Sequence, residues 1–168
     1  MNGNVNGLLR SGAGAIVVLE ARTPQEYPPQ IEPTVLDQAG LTFSPELLLV
    51  RTGQPTEFRN SDETLHNVHV SNADTKEAAF NVAIPTGGKY TYTFRKDGFY
   101  HVGCDIHPAM AADIFATSSP FATVAESDGR FAFTDVPPGA YTVHTFSSRG
   151  RSQQDVEIRK GVNELRIE

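Results

Sequence analysis

The sequence predicts an all-β fold of sandwich or barrel type, and three observations carry that prediction. First, apolar residues recur with a period of two: in "KYTYTF" (89–94), Tyr90, Tyr92 and Phe94 share one face while Thr91 and Thr93 take the other. Second, turn-forming clusters interrupt the chain at short intervals, as in "RTGQP", "PTGG", "KDG", "ESDG" and "VPPGA". Third, helical periodicity is nearly absent, and only "DTKEAAF" (74–80) admits a short helix.

The elements follow in order. "GAIVVLE" (14–20) and "PELLLV" (45–50) are continuous apolar runs suited to buried strands. "LHNVHV" (65–70), "KYTYTF", "RFAF" (130–133), "AYTVHTF" (140–146), "DVEIR" (155–159) and "NELRIE" (163–168) are short alternating segments. Between the first two runs lies "TPQEYPPQIEP", whose prolines lack the N–H needed to continue a ladder. Residues 119–168 carry strand and turn signals, yet 50 residues are marginal for a complete sandwich. The N-terminal strands supply what is missing. Residues 1–21 and 119–168 are therefore expected to form one discontinuous domain, with 22–29 as linker and 30–117 inserted as a second domain.

Composition excludes several function classes. Charged residues at 20% and hydrophobic ones at 39% describe an ordinary globular chain. A net charge of −6 provides no basic field for a phosphate backbone, so nucleic acid is not an expected partner, although an acidic face could steer a basic protein. No apolar run reaches the roughly 18 residues of a spanning helix. The start "MNGNVNGLLR" has no basic segment followed by an apolar one, so no signal peptide is read there. With a single cysteine, no internal disulfide forms, and the compartment cannot be read from bridges.

That cysteine lies in "GFYHVGCDIHPAM" (98–110), where Cys104, His107 and Met110 follow the spacing C-x-x-H-x-x-M. Alone, a cysteine is most often a small buried hydrophobe. A soft thiolate, a borderline imidazole and a weak thioether together favour copper, and a blue-copper centre needs one further histidine. The candidates are His66, His69, His101 and His144. On a strand, His66 shares the face of Val68 and Val70 next to the core, which favours it, and His69 then faces out with Asn67. Cys104 has the parity of Tyr100 and Val102, not of His101, which is at most an outer neighbour of the loop. His69 and His144 read as surface or half-buried strand residues.

"FRNSDETLHNVHV" followed by "GFYHVGCDIHPAM" resembles the copper site of the cupredoxins, the plastocyanin and amicyanin group of small electron carriers, over residues of about 40–117. The two-and-two loop spacing is that of amicyanin. The resemblance implies a Greek-key β-sandwich, one copper ion cycling between Cu(I) and Cu(II), His66, Cys104 and His107 as equatorial ligands, and Met110 as axial ligand. It implies that Asn67 ties its strand to the loop and that its backbone N–H donates to the cysteine sulfur. Pro108 would stiffen the loop. Ile106, Pro108 and Ala109 would ring His107 with an apolar patch, making it the electron gateway to a redox partner protein. A periplasmic or extracytoplasmic setting is implied as well.

The flanks carry a second resemblance. "NVNGLLRSGAGAIVVLE" and "FATVAESDGRFAFTDVPPGAYTVHTF" are similar to the two halves of a carboxypeptidase regulatory-like, transthyretin-like β-sandwich, through Asp128, Gly129, Phe131, Pro137, Gly139, Tyr141 and Val143. The joint arrangement resembles bacterial plastocyanin-like proteins of the methylamine-utilisation type. No enzymatic reaction is expected: a dinuclear centre needs a second loop cysteine, a catalytic type-2 site needs more clustered histidines, and no oxyanion or orienting group accompanies Cys104. Copper storage or delivery, and a non-catalytic interaction module, remain as alternatives to electron transfer.

Overall fold

A computed structural model describes residues 1–10 and 12–168, and among these every regular element is a strand. At the N-terminus are β1 (Gly3–Leu9) and β2 (Ile16–Ala21). Then come β3 (Thr34–Ala39), β4 (Thr42–Ser44), β5 (Leu47–Arg51), β6 (Pro55–Arg59), β7 (His66–Asn72), β8 (Ala78–Ile84), β9 (Lys89–Thr93), β10 (Gly98–Gly103) and β11 (Ala111–Thr117). The chain ends with β12 (Ala122–Val124), β13 (Arg130–Val136), β14 (Gly139–Ser147), β15 (Gly150–Ile158) and β16 (Gly161–Ile167). The helical option at 74–80 is not used. Turn residues lead into β8, where Phe80 is buried and Asn81 exposed, because strand pairing with β7 buries the aromatic ring on the sheet face.

The chain divides into two compact units, Met1–Tyr27 with Ser119–Glu168, and Pro28–Ser118. The expected linker 22–29 is thus shared between them. Its Tyr27 joins the first unit, where the ring meets Phe121 edge-on at 5.6 Å. In that unit β1 pairs antiparallel with β13 and parallel with β16, and β2 lies between β12 and β14, with β15 outside β14. Both early strands therefore find their partners in the last fifty residues. The two sheets close over Val5, Val17, Leu19, Phe133, Tyr141, Val143 and Ile158. Val5, Val17, Leu19 and Val143 are wholly removed from water, and each such side chain contributes about 1.5–3 kcal/mol.

Each unit contains a tyrosine bonded back across a bend. Tyr141 Oη donates to Pro137 O at 2.6 Å, and Tyr100 Oη donates to Lys96 O at 2.9 Å, both four residues upstream. This is the corner device of Greek-key sandwiches. Burial pushes the Tyr141 phenol up to about 12, from an ordinary value of about 10. Stability linked to it is therefore complete below about pH 10 and falls as the pH rises towards 12, because the unfolded chain ionises first. Tyr141→Phe is expected to cost about 1 kcal/mol at neutral pH through the lost hydrogen bond, and to flatten the alkaline limb. Urea midpoints at neutral and alkaline pH check this, and an unchanged alkaline limb overturns it.

The second unit packs a five-stranded sheet, β5-β11-β10-β7-β8, over a four-stranded one, β4-β3-β6-β9. Phe58, Phe94, Val68, Val70, Ile114 and Leu36 fill its centre. "KYTYTF" keeps the expected alternation, with Phe94 at 1% exposure and Tyr90 and Tyr92 half-buried above Phe80. The apolar run at 45–50 is less buried than expected. Leu47, Leu48 and Leu49 are half-buried, because β5 is an edge strand paired only with β11.

Candidate metal centre

The centre is built where β10 ends beside the start of β7. These strands pair antiparallel, with Val102 opposite Val70 and Gly103 opposite His69. Continued one step, that register carries Cys104 towards Val68, and the 104–110 loop passes over Asn67 and His66 before β11 begins at Ala111. Strand parity does the rest. His66 is 0% exposed on the face of Val68 and Val70, and Cys104 is 3% exposed on that of Tyr100 and Val102.

His66, Cys104 and His107 converge. His66 Nδ1 lies 3.1 Å from His107 Nδ1 and 3.8 Å from Cys104 Sγ, and His107 Nδ1 lies 3.9 Å from the same sulfur. A triangle with those sides has its centre about 2.1 Å from each corner, within the roughly 2.0–2.3 Å span of first-row metal bonds to imidazole nitrogen and thiolate sulfur. Met110 closes the loop: its N–H donates to His107 O at 2.9 Å, and its side chain is buried in the same core as Cys104. One cysteine sulfur and two imidazoles form a soft-to-borderline set that fits copper.

His66 is oriented by a carboxylate. Its Nε2–H donates to Asp62 Oδ2 at 2.8 Å, which leaves the Nδ1 lone pair facing Cys104 and His107. Asp62 is itself held by the backbone N–H groups of Gly40 (2.6 Å) and Leu41 (3.0 Å). The His66 hydrogen bond, and after it these amides, hold its carboxyl below the usual range. Buried Asn60 shapes this turn, donating to Thr64 O and Ile84 O and accepting from Asp62 N–H. Sequence reading misses Asp62 and Asn60, since residues in an irregular turn carry no periodic signal. The position of Asp62 four residues before His66 is the one available hint.

Asn67 does not face out with His69 as strand alternation suggests. It is 7% exposed, because the 104–110 loop folds across it. Its Oδ1 accepts from the backbone N–H of Asp105 (2.7 Å) and of Ile106 (3.3 Å) and from Cys104 Sγ (3.3 Å). Its Nδ2 donates to Asn81 Oδ1 and Asp105 Oδ2. The side chain thereby ties β7 to the loop. Asp105 completes the clasp from outside, accepting from Asn81 Nδ2 at 3.0 Å and meeting His69 Nδ1 at 3.3 Å. Hydrogen bonding from Asn81, then from His69, keeps its carboxyl low. Asp105 and Asn81 are further members that the sequence pattern does not disclose.

The other histidines lie elsewhere. His101 is exposed and pairs with Asp113 at 2.7 Å across β10 and β11, so it is not a neighbour of the His66, Cys104 and His107 trio. His144 pairs with Glu20 at 3.0 Å in the first unit. Next to the half-buried His107 on its loop, Ile106 is 48% exposed, and Pro108 and Ala109 are exposed too.

The family model of copper binding proteins, plastocyanin/azurin family, matches residues 31–115. No curated protein matches the sequence. Among solved structures, a single-site mutant of amicyanin in its Cu(I) form is 23% identical, with a TM-score of 0.46 over 51% of this chain and 82% of that one. A purple cupredoxin from Nitrosopumilus maritimus is 19% identical, with a TM-score of 0.45 over 50% of this chain and 99% of that one. A Cu-containing nitrite reductase from Thermus scotoductus SA-01 is 25% identical, with a TM-score of 0.47 over 58% of this chain but only 25% of its own. The family match spans half of the chain and contains the whole convergent donor set, so this chain belongs to the plastocyanin/azurin family of copper binding proteins, and its cofactor is copper.

Proposed function

We propose that the protein is a one-electron carrier with a type-1 copper centre, in which His66 Nδ1, Cys104 Sγ, His107 Nδ1 and the Met110 thioether would hold the ion. The observation that carries this is the convergence of two imidazole nitrogens and one cysteine sulfur at separations a single ion can span. Copper bound there supplies a Cu(I)/Cu(II) couple. The chain contributes a fixed donor geometry. Asp62 holds His66 in one tautomer, and Asn67 holds the loop that presents Cys104 and His107. With both imidazoles neutral and the sulfur a thiolate, a one-electron change requires no proton at any ligand atom.

His107 is the route to the surface. His66, Cys104 and Met110 are buried, while His107 is half-buried between its exposed loop neighbours Ile106, Pro108 and Ala109. Such a surface sheds water readily against an apolar patch on a redox partner protein. The reading involves no enzymatic reaction and sets the protein in the periplasm or another extracytoplasmic space. No helix among the described residues is long and apolar enough to cross a membrane. The unit formed by Met1–Tyr27 and Ser119–Glu168 is proposed to be a carboxypeptidase regulatory-like, transthyretin-like β-sandwich interrupted by the copper unit.

Addition of one equivalent of Cu(II) to the purified protein is expected to produce an intense visible charge-transfer band and a narrow copper hyperfine splitting in EPR. Stoichiometric copper without that band overturns the carrier reading. Electron self-exchange and copper transfer to a chelator separate carrier from delivery protein: fast exchange with slow release supports the carrier, and the reverse supports delivery.

A further inference from the structure

The outer edge of β15 is a self-complementary docking surface, and we propose that it pairs antiparallel with the β15 of a second copy of this chain. The strand runs nine residues in unbroken register against β14, and Gly150 to Glu157 are exposed apart from half-buried Val156. It is the last strand of its sheet. The strand contains no proline, lysine or bulge to blunt it, and its charged residues are Arg151, Asp155 and Glu157.

Its backbone polarity follows from the ladder. Ser147 pairs with Gly150 across a two-residue turn, and Ala140 O accepts from Arg22 N on the opposite side of β14. Odd-numbered residues of β14 therefore bond to β15, through Gly150, Ser152, Gln154, Val156 and Ile158. The N–H and C=O groups of Arg151, Gln153, Asp155 and Glu157 consequently point outward. Side chains of the same four residues lie on one face, where Arg151 sits over the Phe146 ring and Asp155 accepts from Thr142 and approaches Arg22.

A two-fold axis at Gln154 sets Arg151 opposite Glu157 of the second copy and Gln153 opposite Asp155, each twice. All four outward residues then exchange bonds, about eight in all, and both arginines face carboxylates. Centring on Asp155 instead would oppose two carboxylates. Centring on Gln153 would draw the hairpin turn into the ladder, and a shift by an odd number would set outward groups against inward ones. A merely defensive edge has no reason to distribute its charges so that they match under this one rotation.

Sedimentation of the full chain over a wide concentration range tests the pairing. A monomer–dimer equilibrium is expected, together with dimer-dependent exchange protection of the Arg151, Gln153, Asp155 and Glu157 amides. Gln153→Pro removes only an outward N–H, so it should abolish the dimer and leave the circular dichroism unchanged. Arg151→Glu or Glu157→Arg should each weaken association roughly tenfold or more, since two pairs become repulsive. Mixing the two variants should restore it, because every pair in the mixed dimer is again complementary. A chain that stays monomeric throughout, or a dimer indifferent to the charge reversals and their mixing, overturns the proposal.

Discussion

Cys104→Ala is expected to abolish the visible charge-transfer absorption of the copper-loaded protein entirely while leaving the β-sandwich folded. The chain has one cysteine, so no other thiolate can take its place. The side chain is 3% exposed and belongs to the same buried core as Met110, so truncation removes one buried sulfur, at a cost of about 1–2 kcal/mol. His66 and His107 remain close together, and Cu(II) held by imidazoles alone should show the wider hyperfine splitting of a non-thiolate site. Absorption, EPR and circular dichroism of the two proteins side by side check this. A variant that keeps the band would remove the thiolate from the centre and with it the type-1 assignment.

Asn67→Leu is expected to be the most damaging change that touches no donor atom. It deprives the Asp105 and Ile106 amides of their acceptor and the Asp105 carboxylate of a donor, in a partly buried setting where each unmet group costs about 1–3 kcal/mol. A loss of about 2–4 kcal/mol of stability should follow, with copper held some 10–100-fold less tightly, the usual effect of removing a group that orients ligands. Asp105→Ala makes the comparison informative. It removes only the outer part of the clasp, where the carboxylate is largely exposed, and should cost much less. Urea unfolding and chelator competition measure both. Equal copper affinity in wild type and Asn67→Leu would show that the loop holds its shape without this tie.

Different parts of the molecule are legible to different degrees. The strands of 89–94, 130–133 and 140–146 are visible in the sequence because alternation along a half-buried strand is local. The burial of Asn67 contradicts its own strand parity, since the cover comes from a loop almost forty residues later. Asp62 and Asn60 are illegible for a related reason: their roles depend on Gly40, Leu41 and Ile84, which the fold alone brings to that turn. The partial exposure of Leu47–Leu49 departs from expectation because an apolar run does not say whether its strand is central or at an edge.

By itself the sequence determined the all-β class, the pattern Cys104, His107, Met110 on one short loop, and the softness of the donors that makes copper the matching ion. Those are properties of residue type and of spacing within a few positions. Strand parity in the sequence favoured His66 as the second imidazole, and only the tertiary structure decided how closely it stands with Cys104 and His107. His66, His69, His101 and His144 are equivalent as side chains, and the pairing of β7 with β10 brings only the first of them to the inner face beside the sulfur. Register between strands depends on contacts far apart in the chain, and no short stretch of sequence contains them.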